Sequence, residues 1–97
     1  MKYEGPSEGL RQRTKAYALR IIRLCAGLHS SMEASIIARQ LVRSGTSVGA
    51  QFREACRAKS DADYVSKLGG SIQELDESSY WMELLAEARL VDPYLCH

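Results

Sequence analysis

Residues 43–50 read RSGTSVGA, with two glycines and three hydroxyl side chains in eight positions. By composition this is a loop, yet it lies between ARQLV (38–42) and QFREACRAK (51–59), both of which have helical character. Three readings compete: a phosphate-cradling loop, a turn between two short helices, or a continuous helix with one bare side. A phosphate loop of the G-x-x-x-x-G-K-[ST] kind needs a lysine to reach the outer phosphates and a hydroxyl for the metal. Here Gly45 and Gly49 are four apart, no lysine follows and no strand-like segment precedes. A turn is possible. In a helix the two glycines fall on the same side, one turn apart, near Val42, Phe52 and Cys56. Each costs about 1 kcal/mol relative to alanine in a helix interior, and that cost must be offset locally. Close approach of another helix backbone supplies the offset, so the helical reading is preferred.

The flanks extend this helix and supply its neighbours. Leu10, Thr14, Tyr17, Ile21, Leu24 and Leu28 recur at alternating steps of four and three, which predicts a first helix over about 7–28. Ser30 followed by Glu33 has the form of a capping box, predicting a second helix over 31–59 with Ile37, Leu41, Ser44, Val48, Phe52 and Ala55 inward. Ser60 with Asp63 repeats the pattern. It opens a third helix over 61–89, whose expected inner stripe is Val65, Leu68, Ile72, Leu75, Ser79 and Met82. Asp92-Pro93 is a further start signal, so residues 92–97 read as the first turn of a fourth helix. No segment has strand periodicity. The expected fold is all-α, an antiparallel up-and-down helical bundle forming one domain over residues 1–97.

Charge is divided along the chain. Residues 1–59 carry 11 Lys/Arg against 4 Asp/Glu, and residues 60–97 carry 2 against 8, although the net charge is only +1. The two halves can pair, within or between subunits, or the basic half can face nucleic acid. At 100° per residue, Arg39, Arg43, Arg53 and Arg57 fall within roughly 80° on the outer side of the second helix. They are candidate phosphate contacts together with Arg11, Lys15 and Arg23 from the first helix; the plainer alternative is a solvated basic face. Asp76 and Glu83 lie beside the stripe of the third helix and are expected to form structural ion pairs with Arg53 or Arg57. Trp81, Leu84 and Leu85 project from a second side of that helix, which marks them as contacts for a fourth helix or another subunit.

Catalytic signals are weak. His29 stands at a helix end and His97 is terminal, and there is no metal-ligand spacing. No histidine is placed to activate a serine, so neither enzyme activity nor a cofactor is expected. The three cysteines, Cys25, Cys56 and Cys96, are widely spaced, which suits a reduced cytoplasmic setting better than a disulfide framework. No run of about 18 apolar residues or signal-peptide pattern is present.

The run RSGTSVGAQFREACRAKSDADYVSKL (43–68), with YALRIIRL (17–24) before it and ELDESSYWMELL (74–85) after it, resembles the "four helix bundle protein" family. That family includes the proteins encoded in intervening sequences of bacterial 23S ribosomal RNA genes and the accessory variability determinant proteins of diversity-generating retroelements. The resemblance spans about residues 10–90. It implies a four-helix bundle, typically assembled as a homopentamer, and for some members binding of RNA or DNA and of a reverse transcriptase through basic surfaces. Gln51-Phe52 departs from the family's usual Asn-Tyr.

Overall fold

The computed structural model describes residues 5–28 and 30–91, with side chains from Glu8 onward. Three helices make up this region: α1 (Gly5–Ala26), α2 (Met32–Cys56) and α3 (Asp61–Glu87). The segment 92–97, expected to begin a fourth helix, lies outside the described residues. RSGTSVGA lies wholly inside α2, and α2 is the central element, with α1 packed on one side and α3 on the other.

The helix starts follow from local chemistry. Ser60 holds an extended backbone, and its Oγ accepts from the N–H of Asp63 at 3.1 Å. Asp61 and Asp63 add negative charge to the first turn, where the helix dipole is positive. At α2 the cap is Ser31, not Ser30, and it accepts from the N–H of Ala34 at 3.0 Å. The capping box expected from Ser30 and Glu33 therefore does not form: the cap is Ser31, with an extended backbone (φ −157°, ψ 159°), and three residues on stands Ala34, whose methyl cannot reciprocate. α2 ends three residues earlier than its periodicity suggested. The N–H groups of Arg57 and Ala58 reach back only three residues, to the carbonyls of Glu54 and Ala55, both at 3.0 Å, which tightens and closes the last turn.

α3 closes with a Schellman turn. The N–H of Leu90 donates to the carbonyl of Leu85 at 2.9 Å, and that of Arg89 to Ala86 at 3.1 Å. Arg89 adopts φ 60°, the left-handed conformation such a turn requires and glycine favours. The turn returns Leu90 and Val91 to the core beside Leu85. Arg89→Gly is accordingly expected to stabilise the protein by about 1 kcal/mol, raising the melting temperature by about 4–8 °C in a scanning-calorimetry comparison. A lower melting temperature would contradict the strained-arginine account.

The core gathers Ile21 from α1, Leu41 from α2, and Leu85 and Val91 from α3 and its end, with Tyr17, Leu24, Ile37, Trp81 and Met82 packed against it. On α3 the buried residues ahead of Leu85 are the small, polar Ser71 and Ser78. Ser71 donates to the carbonyl of Val48 across the interface at 2.7 Å, and Ser78 is fully buried, donating to Leu75 and sharing a 2.6 Å hydrogen bond with Tyr17 Oη. Among the described residues no buried side-chain oxygen or nitrogen lacks a partner.

This serine seam turns α3 about a quarter-turn from the orientation its apolar stripe suggested. Val65, Ile72 and Leu75 are 65%, 54% and 42% exposed, and the helix buries Ser71, Ser78 and Leu85 instead. Serines at seven-residue steps let two backbones approach closely and bond to each other, which the bulkier stripe would prevent. Leu85, expected on an outer contact face, is fully buried in the core for the same reason, while Trp81 and Leu84 are half-buried.

Candidate nucleic-acid interface

In α2 the glycines face α1. A Cβ on Gly45 would run into Cδ1 of Ile21 and stand 3.3 Å from its Cγ2; one on Gly49 would lie 3.2 Å from Cβ of Thr14 and 3.6 Å from its backbone carbon. The bare strip is therefore a helix-crossing point. The hydroxyls are also accounted for. Ser44 donates to the carbonyl of Gln40 (2.8 Å), Thr46 to Val42 (2.7 Å) and Ser47 to Arg43 (2.6 Å). Every hydroxyl of RSGTSVGA turns back onto its own helix, so none is presented as a phosphate ligand.

The four arginines of α2 and its end divide into two kinds. Arg43 reaches across to α3, pairing with Glu74 at 3.3 Å and with Glu77 at shorter range. Glu77 also accepts from the indole N–H of Trp81 at 3.1 Å. The Trp81 hydrogen bond, reinforced by Arg43, holds the Glu77 carboxyl below the ordinary carboxylate range, and the bond that Arg43 donates to Glu77 holds its guanidinium above the usual value. Arg39, Arg53 and Arg57 are exposed, and among the described residues none forms an ion pair. On α1, Lys15 and Arg23 are exposed and Arg11 is half-buried.

The acids paired across the α2–α3 interface are not the ones expected. Asp76 and Glu83 are exposed, and no ion pair reaches them among the described residues; the partners are Glu74 and Glu77 for Arg43, with Lys67 to Glu54 at 3.2 Å as a separate pair. The quarter-turn of α3 explains this. It carries Asp76 and Glu83 outward with the apolar stripe and brings Glu74 and Glu77 toward Arg43. A signal for Glu77 was present in the sequence, since Trp81 stands one helical turn after it, where its N–H can meet the carboxylate.

An open groove of about 670 Å³ runs between the end of α1 and the start of α2, floored by Cys25, Leu28, Ala34, Ala38 and Val42 and edged by Arg39 and Arg43. The Cys25 thiol points to the carbonyl of Ala38 at 3.9 Å, and burial pushes it above the ordinary thiol range, away from the reactive thiolate. No group of three His, Cys, Asp or Glu that could hold a metal ion occurs among the described residues. Nor, among them, is any helix long and apolar enough to cross a membrane.

The sequence profile of the family described as "23S rRNA-intervening sequence protein" matches residues 9–94. A crystal structure of a protein of unknown function from the S23 ribosomal protein family of Bacteroides thetaiotaomicron is similar, with a TM-score of 0.85 and 32% identity. That match covers 93% of this chain and 80% of the Bacteroides chain. No curated protein matches.

Proposed function

Since the chain belongs to the 23S rRNA-intervening sequence protein family, we propose that it is a non-enzymatic, self-assembling helical scaffold that binds nucleic acid, alone or with a protein partner such as a reverse transcriptase, through the basic faces of α1 and α2 in a bacterial cytoplasm. The observation that carries this reading is the contrast among the arginines. Arg43 is neutralised by Glu74 and Glu77, whereas Arg39, Arg53 and Arg57 stand exposed with no acidic partner among the described residues. A face whose exposed arginines form no ion pair, carried on rigid helices, suits polyanions. The exposed stripe of Val65, Ile72 and Leu75 supports the assembly part, because so much apolar surface on one helix favours a covering surface. That stripe also favours a second reading, a protein-interaction module with no affinity for nucleic acid.

The test replaces Arg39 and Arg57 together with glutamine. Binding of structured RNA and of DNA at low salt is expected to weaken at least about tenfold, with the melting temperature unchanged. A fall in melting temperature with unaltered affinity would mean that these arginines act structurally. Absence of binding by the unaltered protein would leave the interaction module. For assembly, a mass in solution of one 10.8 kDa chain would refute self-association.

A further inference from the structure

We infer, resting on the nucleic-acid reading above, that the ligand of the basic face is the phosphate backbone of a double helix, gripped at two separated points and without reading base sequence. The first support is the disposition of charge. Arg39 and Arg53 lie 14 residues apart on one continuous helix, about 21 Å at 1.5 Å per residue, and Arg57 lies about 6 Å further along. Thr14 of α1 meets Gly49, and the two helices run antiparallel, so Arg11 and Lys15 flank the stretch of α2 leading to Arg53 and Arg57. They lie about 120° and 160° round α1 from Tyr17, whose hydroxyl bonds to Ser78 of α3, and so share the side of the pair turned away from α3. The result is a cluster of four cations at one end and Arg39 at the other. Arg43, one turn along from Arg39, is tied to α3. Of the three acids on the described parts of α1 and α2, Glu54 pairs with Lys67 and Glu8 accepts from Gln12 at 2.9 Å, leaving Glu33 at the start of α2.

The second support is what lies between the two charged points. Thr46 and Ser47 bond to their own backbone and Ala50 has nothing to donate, so the middle of the face has little with which to read a base edge. Among the described residues the aromatic rings are Tyr17 and Phe52, which are at least half-buried, and Tyr64, Tyr80 and Trp81, which belong to α3. Proteins that hold single strands stack bases on exposed rings, and this face offers none. A rigid helix with cations about 21 Å apart exceeds the about 12 Å width of the major groove of B-form DNA, so it can bridge that groove and meet the fixed phosphate rows on both of its edges.

Fluorescence anisotropy of the full chain tests this with a DNA duplex, an RNA duplex and their component single strands, in two unrelated sequences, over a salt series. Both duplexes, or one of them, are expected to bind at least about fivefold tighter than their single strands, with less than about threefold difference between sequences. Five phosphate contacts predict a slope of log K against log salt near −4.5 for the DNA duplex, and Arg53→Gln or Arg39→Gln is expected to reduce it by about 0.9 each. Arg43→Gln is expected to leave the slope unchanged. The DNA and RNA arms identify which duplex is held. Single strands binding as well as duplexes would overturn this inference while leaving nucleic-acid binding intact. Strong sequence preference, or an equal loss of slope with Arg43→Gln, would overturn it too. No binding of any probe at low salt would overturn the broader reading.

Discussion

Leu85→Ala is expected to destabilise the protein by about 2–5 kcal/mol, whereas Ile72→Ala on the same helix is expected to change stability by less than about 1 kcal/mol. Leu85 is fully buried with Ile21, Leu41 and Val91, so truncation leaves a cavity at the meeting point of the helices. Ile72 is more than half exposed and loses little that the folded monomer holds. Chemical denaturation of the two variants, at concentrations where the chain is a monomer, decides between the two orientations of α3. Equal losses, or a larger loss at Ile72, would mean that the apolar stripe and not the serine seam faces α2. The same pair measured under associating conditions reports on the exposed stripe, because a cost for Ile72→Ala that appears only there belongs to an intermolecular contact.

Gly45→Leu is expected to destabilise by about 1–3 kcal/mol, even though leucine is the better helix former by about 1 kcal/mol. The added side chain would enter the space that the buried Ile21 occupies and push α1 off the crossing point. Gly69 supplies the control: a Cβ there meets nothing within 4 Å, so Gly69→Ala is expected to stabilise α3 by about 0.5–1 kcal/mol. Thermal melts of both variants separate helix propensity from close approach. Should Gly45→Leu melt at or above the parent temperature, the crossing-point account fails.

The second helix was legible from its residues because its two faces differ in kind. Leu41, Val48, Phe52 and Ala55 make one apolar stripe, all four are buried, and the glycines beside them mark the crossing of α1. The third helix was not. It carries an apolar arc that reads clearly as a core stripe, and beside it a seam of Ser71 and Ser78 that looks like solvent-facing sequence. Two backbones bonding through Ser71 to the carbonyl of Val48 outweigh the stripe, and only the partner's position discloses that. The error carries through to the charges: the stripe points Asp76 and Glu83 toward Arg53 or Arg57, whereas the acids that pair with α2 are Glu74 and Glu77, and their partner is Arg43. The outward direction of Arg39, Arg53 and Arg57 was readable from the wheel. The diversion of Arg43 was not, since it depends on where α3 turns its acids. Of two adjacent serines, Ser30 and Ser31, composition could not say which one caps α2.

The central position of α2 sets an order of opening. α1 and α3 rest on it from two sides and meet each other mainly through Tyr17 and the Ile21–Leu85 end of the core. α1 can therefore separate as a unit while α2 and α3 stay joined by the Ser71 bond and the Arg43 pairs. In hydrogen–deuterium exchange the amides of α1 would then exchange through a partial opening, and those of residues 41–52 only through global unfolding. The strip that begins with Gly45 and Gly49 is thus the joint along which the molecule first comes apart.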